Sequence, residues 1–295
     1  MGGNFISAMS DTNATSEAIR NCSLTVQIST KPNRSHLITG KIGIILPCLG
    51  RTERDHSGYS EQFVTVENSM GVVQKSIGSR PPASNNLRSE VSIVSGIAMA
   101  IEEKIGFSEI KWKELAADYD LIRDSIEKVI PGFDSYNERC RENGGFYLPN
   151  PPRDSRIFPT KTGLANFISN DLVSISPNDG EFLMMTIRSH DQYNTTVYTD
   201  NDRYRGIYSG RRVVLMNKSD MEENCWEEFD EVSITSKFDK KVVTSDRWRV
   251  VEYDIPRGTV ATYFPEANVL IPLNSVADKS NTPTSKSVIV NITST

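Results

Sequence analysis

Phe182-Leu183-Met184-Met185-Thr186-Ile187-Arg188-Ser189-His190-Asp191-Gln192-Tyr193-Asn194-Thr195-Thr196 is the stretch on which the reading of this chain turns. Phe182–Ile187 is apolar and partly β-branched, so it reads as a short strand, and a run of polar side chains follows it directly. A strand that ends in clustered amides, hydroxyls, an arginine and an imidazole offers a ligand many hydrogen-bond partners in one place. The adjacent Ser189-His190-Asp191 is not a hydrolytic triad. In an extended chain Ser189 and Asp191 point to one face and His190 to the other, whereas a triad needs the imidazole between its partners, within about 3 Å of each. A polar ligand-binding strand end remains, with a solvated loop as its alternative.

Downstream, short β-branched runs recur at Arg212–Met216, Glu231–Thr235, Arg247–Tyr253, Thr259–Tyr263 and Ser287–Ile292, with turn residues between them. That pattern predicts an all-β barrel or sandwich from about 181 to the C-terminus. Upstream the chain reads as α/β. Asp11 can cap a helix running through Arg20, Leu24–Ile28 reads as a buried strand, and Ile42–Leu46 is a second apolar run stopped by Pro47; such short runs suggest a parallel sheet. Leu87, Val91, Val94, Ile97, Ala98 and Ile101 follow helical spacing, so 87–104 is expected to be an amphipathic helix ended by Gly106. A further helix with Trp112, Leu115, Tyr119, Ile122 and Ile126 on one side is expected to end before Pro131-Gly132. The Gly-, Pro- and Asn-rich stretch from Asn143 to Pro159 marks a boundary zone.

The chain's 295 residues suggest roughly two domains. Charged residues total 24% and hydrophobic ones 37%, enough for a core. A net charge of −5 disfavours a nucleic-acid sleeve. No apolar run approaches the ~20 residues of a membrane span, and Met1–Ser7 does not read as a secretory signal. Cytoplasmic location is the expectation. The four cysteines, Cys22, Cys48, Cys140 and Cys225, form no C-x-x-C and read as scattered thiols. His36 and His56 match no metal spacing. Neither a metal ligand nor a catalytic residue is therefore assigned. Arg203, Arg205, Arg211 and Arg212 form a basic cluster, either solvated or an anion-binding rim. Gly2-Gly3-Asn4 can bring backbone N–H groups to a phosphate.

Taken together, these segments resemble the C-terminal part of a molybdopterin oxidoreductase, in the formate-dehydrogenase-like branch of the dimethyl-sulfoxide-reductase family. Gly2-Gly3-Asn4-Phe5 resembles the family's glycine turn, and Ile44-Ile45-Leu46-Pro47-Cys48 its strand ending in Leu-Pro. Glu67–Gln74 resembles the segment after that strand, with the pattern Asn-x-x-Gly-x-x-Gln, and Thr162–Phe167 resembles a Gly-x-Ala-x-Phe element. Thr186–Thr196, Tyr263–Leu270 and Thr282–Lys286 resemble the opening and closing segments of the dinucleotide-binding domain. The ordered set covers nearly the whole chain.

The resemblance implies a fold: α/β followed by all-β. Residues 1–105 would be the C-terminal half of a Rossmann-like domain. Residues 106–178 would return to a neighbouring α/β domain, and 179–295 would be a double-psi-type β-barrel. It also implies a ligand, molybdenum-bis(molybdopterin guanine dinucleotide). One dinucleotide would lie against Gly2, Gly3, Asn4 and Phe5. The other would lie against Arg188, Ser189, His190, Gln192, Asn194 and Thr195, with Asn268 and Lys286 in the closing segments. The family's cluster-binding cysteines have no counterpart here, so a [4Fe-4S] cluster is expected only in an upstream segment, and the chain is expected to be a fragment whose partner is that N-terminal segment. A non-catalytic nucleotide- or pterin-binding module, or a non-functional remnant, are the alternatives.

Overall fold

The computed structural model describes all residues except 107, 108, 172, 173 and 196. In chain order the elements are helices α1 (Phe5–Ala8) and α2 (Thr12–Arg20), strands β1 (Leu24–Ser29), β2 (Ile42–Pro47), β3 (Val64–Glu67) and β4 (Val72–Ser76), helices α3 (Glu90–Ile105), α4 (Trp112–Ala117), α5 (Tyr119–Val129) and α6 (Tyr136–Arg139), strand β5 (Phe146–Tyr147) and helix α7 (Pro151–Ser155). Strands β6 (Glu181–Ile187) and β7 (Val213–Met216), helix α8 (Lys218–Glu223), and strands β8 (Glu231–Phe238), β9 (Lys241–Glu252), β10 (Thr259–Tyr263) and β11 (Val288–Ser294) complete the chain. Two compact units result. One comprises Met1, Ile28–Lys31 and Leu46–Asn170; the other comprises Gly2–Gln27, Pro32–Ile45 and Asp171–Thr295.

The second unit is built on a closed barrel in the order β10-β6-β11-β8-β9-β7. Two contacts are parallel, β6 with β10 and β7 with β9, and the other four are antiparallel. Alternation of side chains sends Phe182, Met184, Val232, Ile234, Trp248, Val250, Val288 and Val290 into one core. Strand β7 is buried at all four positions because its other face meets a second cluster with Ile207, Val251, Ala261 and Tyr263. Strand β9 carries an extra residue: Ile234 pairs with Ser245 but Val232 pairs with Trp248, and Arg247 takes φ +60°. This bulge explains why β9 reads from sequence as beginning at Arg247; the strand starts at Lys241 and continues through the irregularity.

In the first unit, β3, β4 and β5 form a three-stranded antiparallel sheet packed on Phe63, Tyr136, Cys140 and Phe146. Ser89 caps α3 by accepting from Ser92 N, and Gly106 ends it in the left-handed region at φ +74°. The single helix expected around Trp112–Ile126 is two helices. Asp118 is extended (φ −147°) and its carboxylate accepts from Asp120 N, so it ends α4 and starts α5. The expected parallel sheet is a two-stranded pair, β1 with β2. Ile42 N donates to Ser23 O and Cys48 N to Ser29 O, a constant offset that makes the strands parallel. Leu24 and Val26, expected buried, are exposed, as are Ile42, Ile44 and Ile45 of the second run, because no further strand joins this pair among the described residues.

Candidate functional site

Within the barrel-containing unit, the turn before α1 and the loop after β6 meet. Gly2 takes φ +62°, a conformation open to glycine, and delivers Asn4 into the interior. The Asn4 side chain donates from Nδ2 to Thr195 O (3.1 Å), and its Oδ1 accepts from Ser35 Oγ (3.0 Å). Ser35 Oγ accepts in turn from Ile6 N (3.0 Å). Asn33 Nδ2 donates to Gly3 O (3.0 Å), tying the glycine turn to a 3-10 turn over Arg34–Leu37. Asn268 Nδ2 donates to Ser7 O (2.6 Å), and its carbonyl accepts from Asp11 N (2.8 Å). Lys241 pairs with the buried Asp11 carboxylate.

These contacts frame a cavity of about 220 Å³ lined by Asn4, Ser7, Pro32, Asn33, Arg34, Thr195, Tyr198, Pro265 and Glu266. A wider cavity of about 660 Å³ shares Arg34 and Glu266 and adds Arg212, Arg247, Asn13, Ser245 and Asp246, the last two beside the β9 bulge.

Arg211 holds the wall between strand end and cavity. Its side chain is only 4% exposed. It donates to Glu266 Oε1 (3.0 Å), Ser189 Oγ (2.7 Å), Gln192 Oε1 (2.8 Å) and Phe264 O (2.9 Å). The guanidinium lies 4.3 Å from the Tyr198 ring centre and 4.8 Å from that of Tyr263. Glu266 Oε2 is buried and has no hydrogen-bond partner among the described residues. Burial, and then the Glu266 charge, push the Tyr198 phenol above its ordinary pKa, so it stays a hydrogen-bond donor. A second hub is the buried carboxylate of Asp202, which accepts from Tyr263 OH (2.8 Å) and Arg205 NH1 (2.6 Å) and lies 3.2 Å from His190 Nδ1. Burial alone would raise its pKa; the bonds from Tyr263, Arg205 and His190 outweigh burial and hold it below the ordinary range.

The structure sorts the residues singled out from sequence. Gly2, Gly3, Asn4 and Thr195 converge through the bonds above, and Asn268 braces the segment after α1. Phe5 is half exposed. Ser189 and Gln192 are engaged by Arg211, and Gln192 Nε2 also donates to Asn194 O and Phe264 O (both 2.8 Å). Asn194 is exposed at φ +54°. Arg188 is exposed, 5.7 Å from the Phe264 ring centre. Lys286 donates to Thr186 O, and burial, then the Arg188 charge, lower its pKa. Thr196 lies outside the described residues. The four clustered arginines separate: Arg203 faces Asp191 (3.6 Å), Arg205 pairs with Asp202, Arg211 is interior, and Arg212 donates to Ser245 Oγ (2.8 Å) on the wider cavity.

Asn33, Arg34, Tyr198 and Glu266 also line the cavity and were not assigned as cofactor contacts from sequence, although Glu266 lies within the closing segment Tyr263–Leu270. Pro32-Asn33-Arg34 and Pro265-Glu266 resemble ordinary turn chemistry, and no local signal separates them from it. Among the described residues no group of three or more His, Cys, Asp or Glu side chains is placed to hold a metal ion. No helix among them is long and apolar enough to cross a membrane.

Residues 182–293 match the family model described as the molydopterin dinucleotide binding domain, a span that coincides with the barrel. The chain is 47% identical over 298 aligned positions to an uncharacterized oxidoreductase of Mycobacterium tuberculosis, covering 99% of this chain and 38% of that protein. It is 39% identical over the same length to protein YdeP of Escherichia coli, covering 99% and 39%. The chain thus spans less than two-fifths of the length of these curated relatives. Acetylene hydratase from Pelobacter acetylenicus shares the fold, with a TM-score of 0.61 at 10% identity over 97% of this chain and 42% of that one.

Proposed function

We propose that the cavity beside Asn4, Arg34, Tyr198 and Glu266 receives the nucleotide end of a pterin dinucleotide. The chain would then be the C-terminal, cofactor-binding part of a molybdenum-bis(molybdopterin guanine dinucleotide) oxidoreductase of the formate-dehydrogenase-like kind. On this reading residues 1–105 and 106–178 belong to neighbouring α/β domains of a longer enzyme, and any [4Fe-4S] cluster is held by its remainder. The observation that carries the reading is the junction of the glycine turn with the loop after β6, made by Asn4 and Thr195, at the mouth of one polar cavity in the barrel-containing unit. Those two segments are the ones whose sequences resemble the family's cofactor contacts.

The donor set fits such a group. Arg34 supplies charge for a diphosphate. Tyr198, backed by Arg211, supplies a ring face on which a base can stack. Glu266 Oε2, buried and without a partner among the described residues, supplies an acceptor for the ring N–H and amino donors of guanine. When bound, the molybdenum cofactor supplies the redox chemistry; the residues of this chain bind it, orient it and exclude water from its nucleotide end.

The test is pterin and nucleotide content of the natively expressed protein, alongside Arg34→Ala and Glu266→Gln. Loss of a hydrogen bond to a charged group costs about 1.5–3 kcal/mol, roughly ten- to a hundredfold in affinity. Both variants should lower guanine nucleotide release per chain relative to wild type; because Glu266→Gln also removes the partner of buried Arg211, urea unfolding checks that each variant is folded. Unchanged occupancy in both rules out this cavity. Full occupancy without turnover by the whole protein favours a non-catalytic binding module.

A further inference from the structure

The other compact unit contains a cavity of about 190 Å³ that the reading above does not use. Arg54, His56 and Arg88 line it, and Leu49, Pro82 and Leu87 supply apolar wall. We propose that this cavity binds a small organic carboxylate, with the guanidiniums on the carboxylate and the apolar wall against its carbon chain.

Three observations carry the assignment. First, the two loops that form the cavity are stitched together, so the site is preorganised. Leu49 N donates to Arg88 O (2.9 Å), Arg54 N to Arg80 O (2.8 Å), and Ser79 N and Arg80 N to Thr52 O (3.0 and 2.9 Å). Glu53 clamps both loops, accepting from Gly50 N and Ala83 N. Gly78 is required for this approach: a Cβ there would sit 1.9 Å from Glu53 O.

Second, the oxygens of Glu53 and Asp55 are hydrogen-bonded to neutral donors and not to the cavity's guanidiniums. Both Glu53 oxygens are used in the clamp. Asp55, which also faces the cavity, accepts from Ser57 N (2.9 Å) with one oxygen and from Tyr119 OH (2.6 Å) with the other. Glu61 lies 3.5 Å from Arg54 Nε, an exposed pairing of little strength. No carboxylate pairs with Arg88 or His56 among the described residues. Third, planar guanidiniums present parallel N–H donors that match a carboxylate, and an apolar wall of this size suits a short carbon chain better than a hydrated inorganic anion.

The test uses the full chain and propionate as the probe, with inorganic phosphate and propylammonium in parallel titrations. The chain has three histidines, so the ring C–H signal of His56 is identified by its loss in His56→Gln. Propionate should shift that signal saturably, with a dissociation constant of about 1 mM or tighter, and leave the His36 and His190 signals in place. Arg88→Gln should weaken binding at least about tenfold, and Arg88→Lys by less. Urea unfolding of each variant checks that the unit stays folded, and Arg54→Gln provides a second variant at the same site. No saturable shift, equal response to propylammonium, phosphate binding tighter than propionate, or full propionate affinity in folded Arg88→Gln and Arg54→Gln proteins would each overturn the assignment.

Discussion

Replacing Arg211 by Met tests the packing logic of the barrel-containing unit. The substitution keeps most of the side-chain volume and removes the charge. It leaves the partly buried Glu266 carboxylate without the guanidinium 3.0 Å away and takes the donor from Ser189, Gln192 and Phe264 O. Breaking a buried ion pair by removing one partner costs about 3–5 kcal/mol, because the remaining charge is uncompensated. With a urea m-value near 2 kcal/mol/M, the unfolding midpoint should fall by about 1.5–2.5 M. Trp226 and Trp248 are buried in the barrel core, so their fluorescence in a Trp112→Phe background reports this unit alone. Adding Glu266→Gln to Arg211→Met should recover at least about 1 kcal/mol, since the orphaned charge is then gone. A midpoint loss equivalent to less than about 1 kcal/mol, or no recovery in the double variant, would refute the claim that Arg211 is the electrostatic pin of this wall.

Other expectations follow from the same contacts. Asn4→Ala leaves Thr195 O without its donor and should cost about 1–3 kcal/mol in the same fluorescence assay, with faster amide exchange in the loop after β6. Asp202 has its pKa held below the ordinary 3.8, so its stabilisation is fully present above that value and is lost as pH falls through the depressed one. Asp202→Asn should therefore lose less stability than wild type on acidification below about pH 4, read as urea midpoints against pH. Gly78→Ala drives a Cβ into Glu53 O and should destabilise the other unit by about 1–3 kcal/mol, monitored by Trp112, leaving Trp248 emission unchanged.

Local signals in the sequence determined the element types. All six barrel strands overlap the β-branched runs expected from sequence, because alternation is a property of a few consecutive residues; only β9 starts well before its run, at Lys241, where the bulge interrupts the alternation. Ser89 and Gly106 delimit α3 by capping chemistry that is equally local. The break at Asp118 was also legible in principle, as an N-capping residue inside an otherwise helical pattern, but apolar spacing on both sides of it masked the signal. The polar strand end after Ile187 was visible for the same local reason. What its side chains do was not: Ser189 and Gln192 spend their polar atoms on Arg211, and of its described residues Thr195 alone lines the cavity, with Asn4, Asn33, Arg34, Tyr198 and Glu266. Only the tertiary structure could decide this. Asn4 and Thr195 are 191 positions apart, and which polar group satisfies which is set by desolvation on packing, where each buried donor must find an acceptor whatever its distance along the chain.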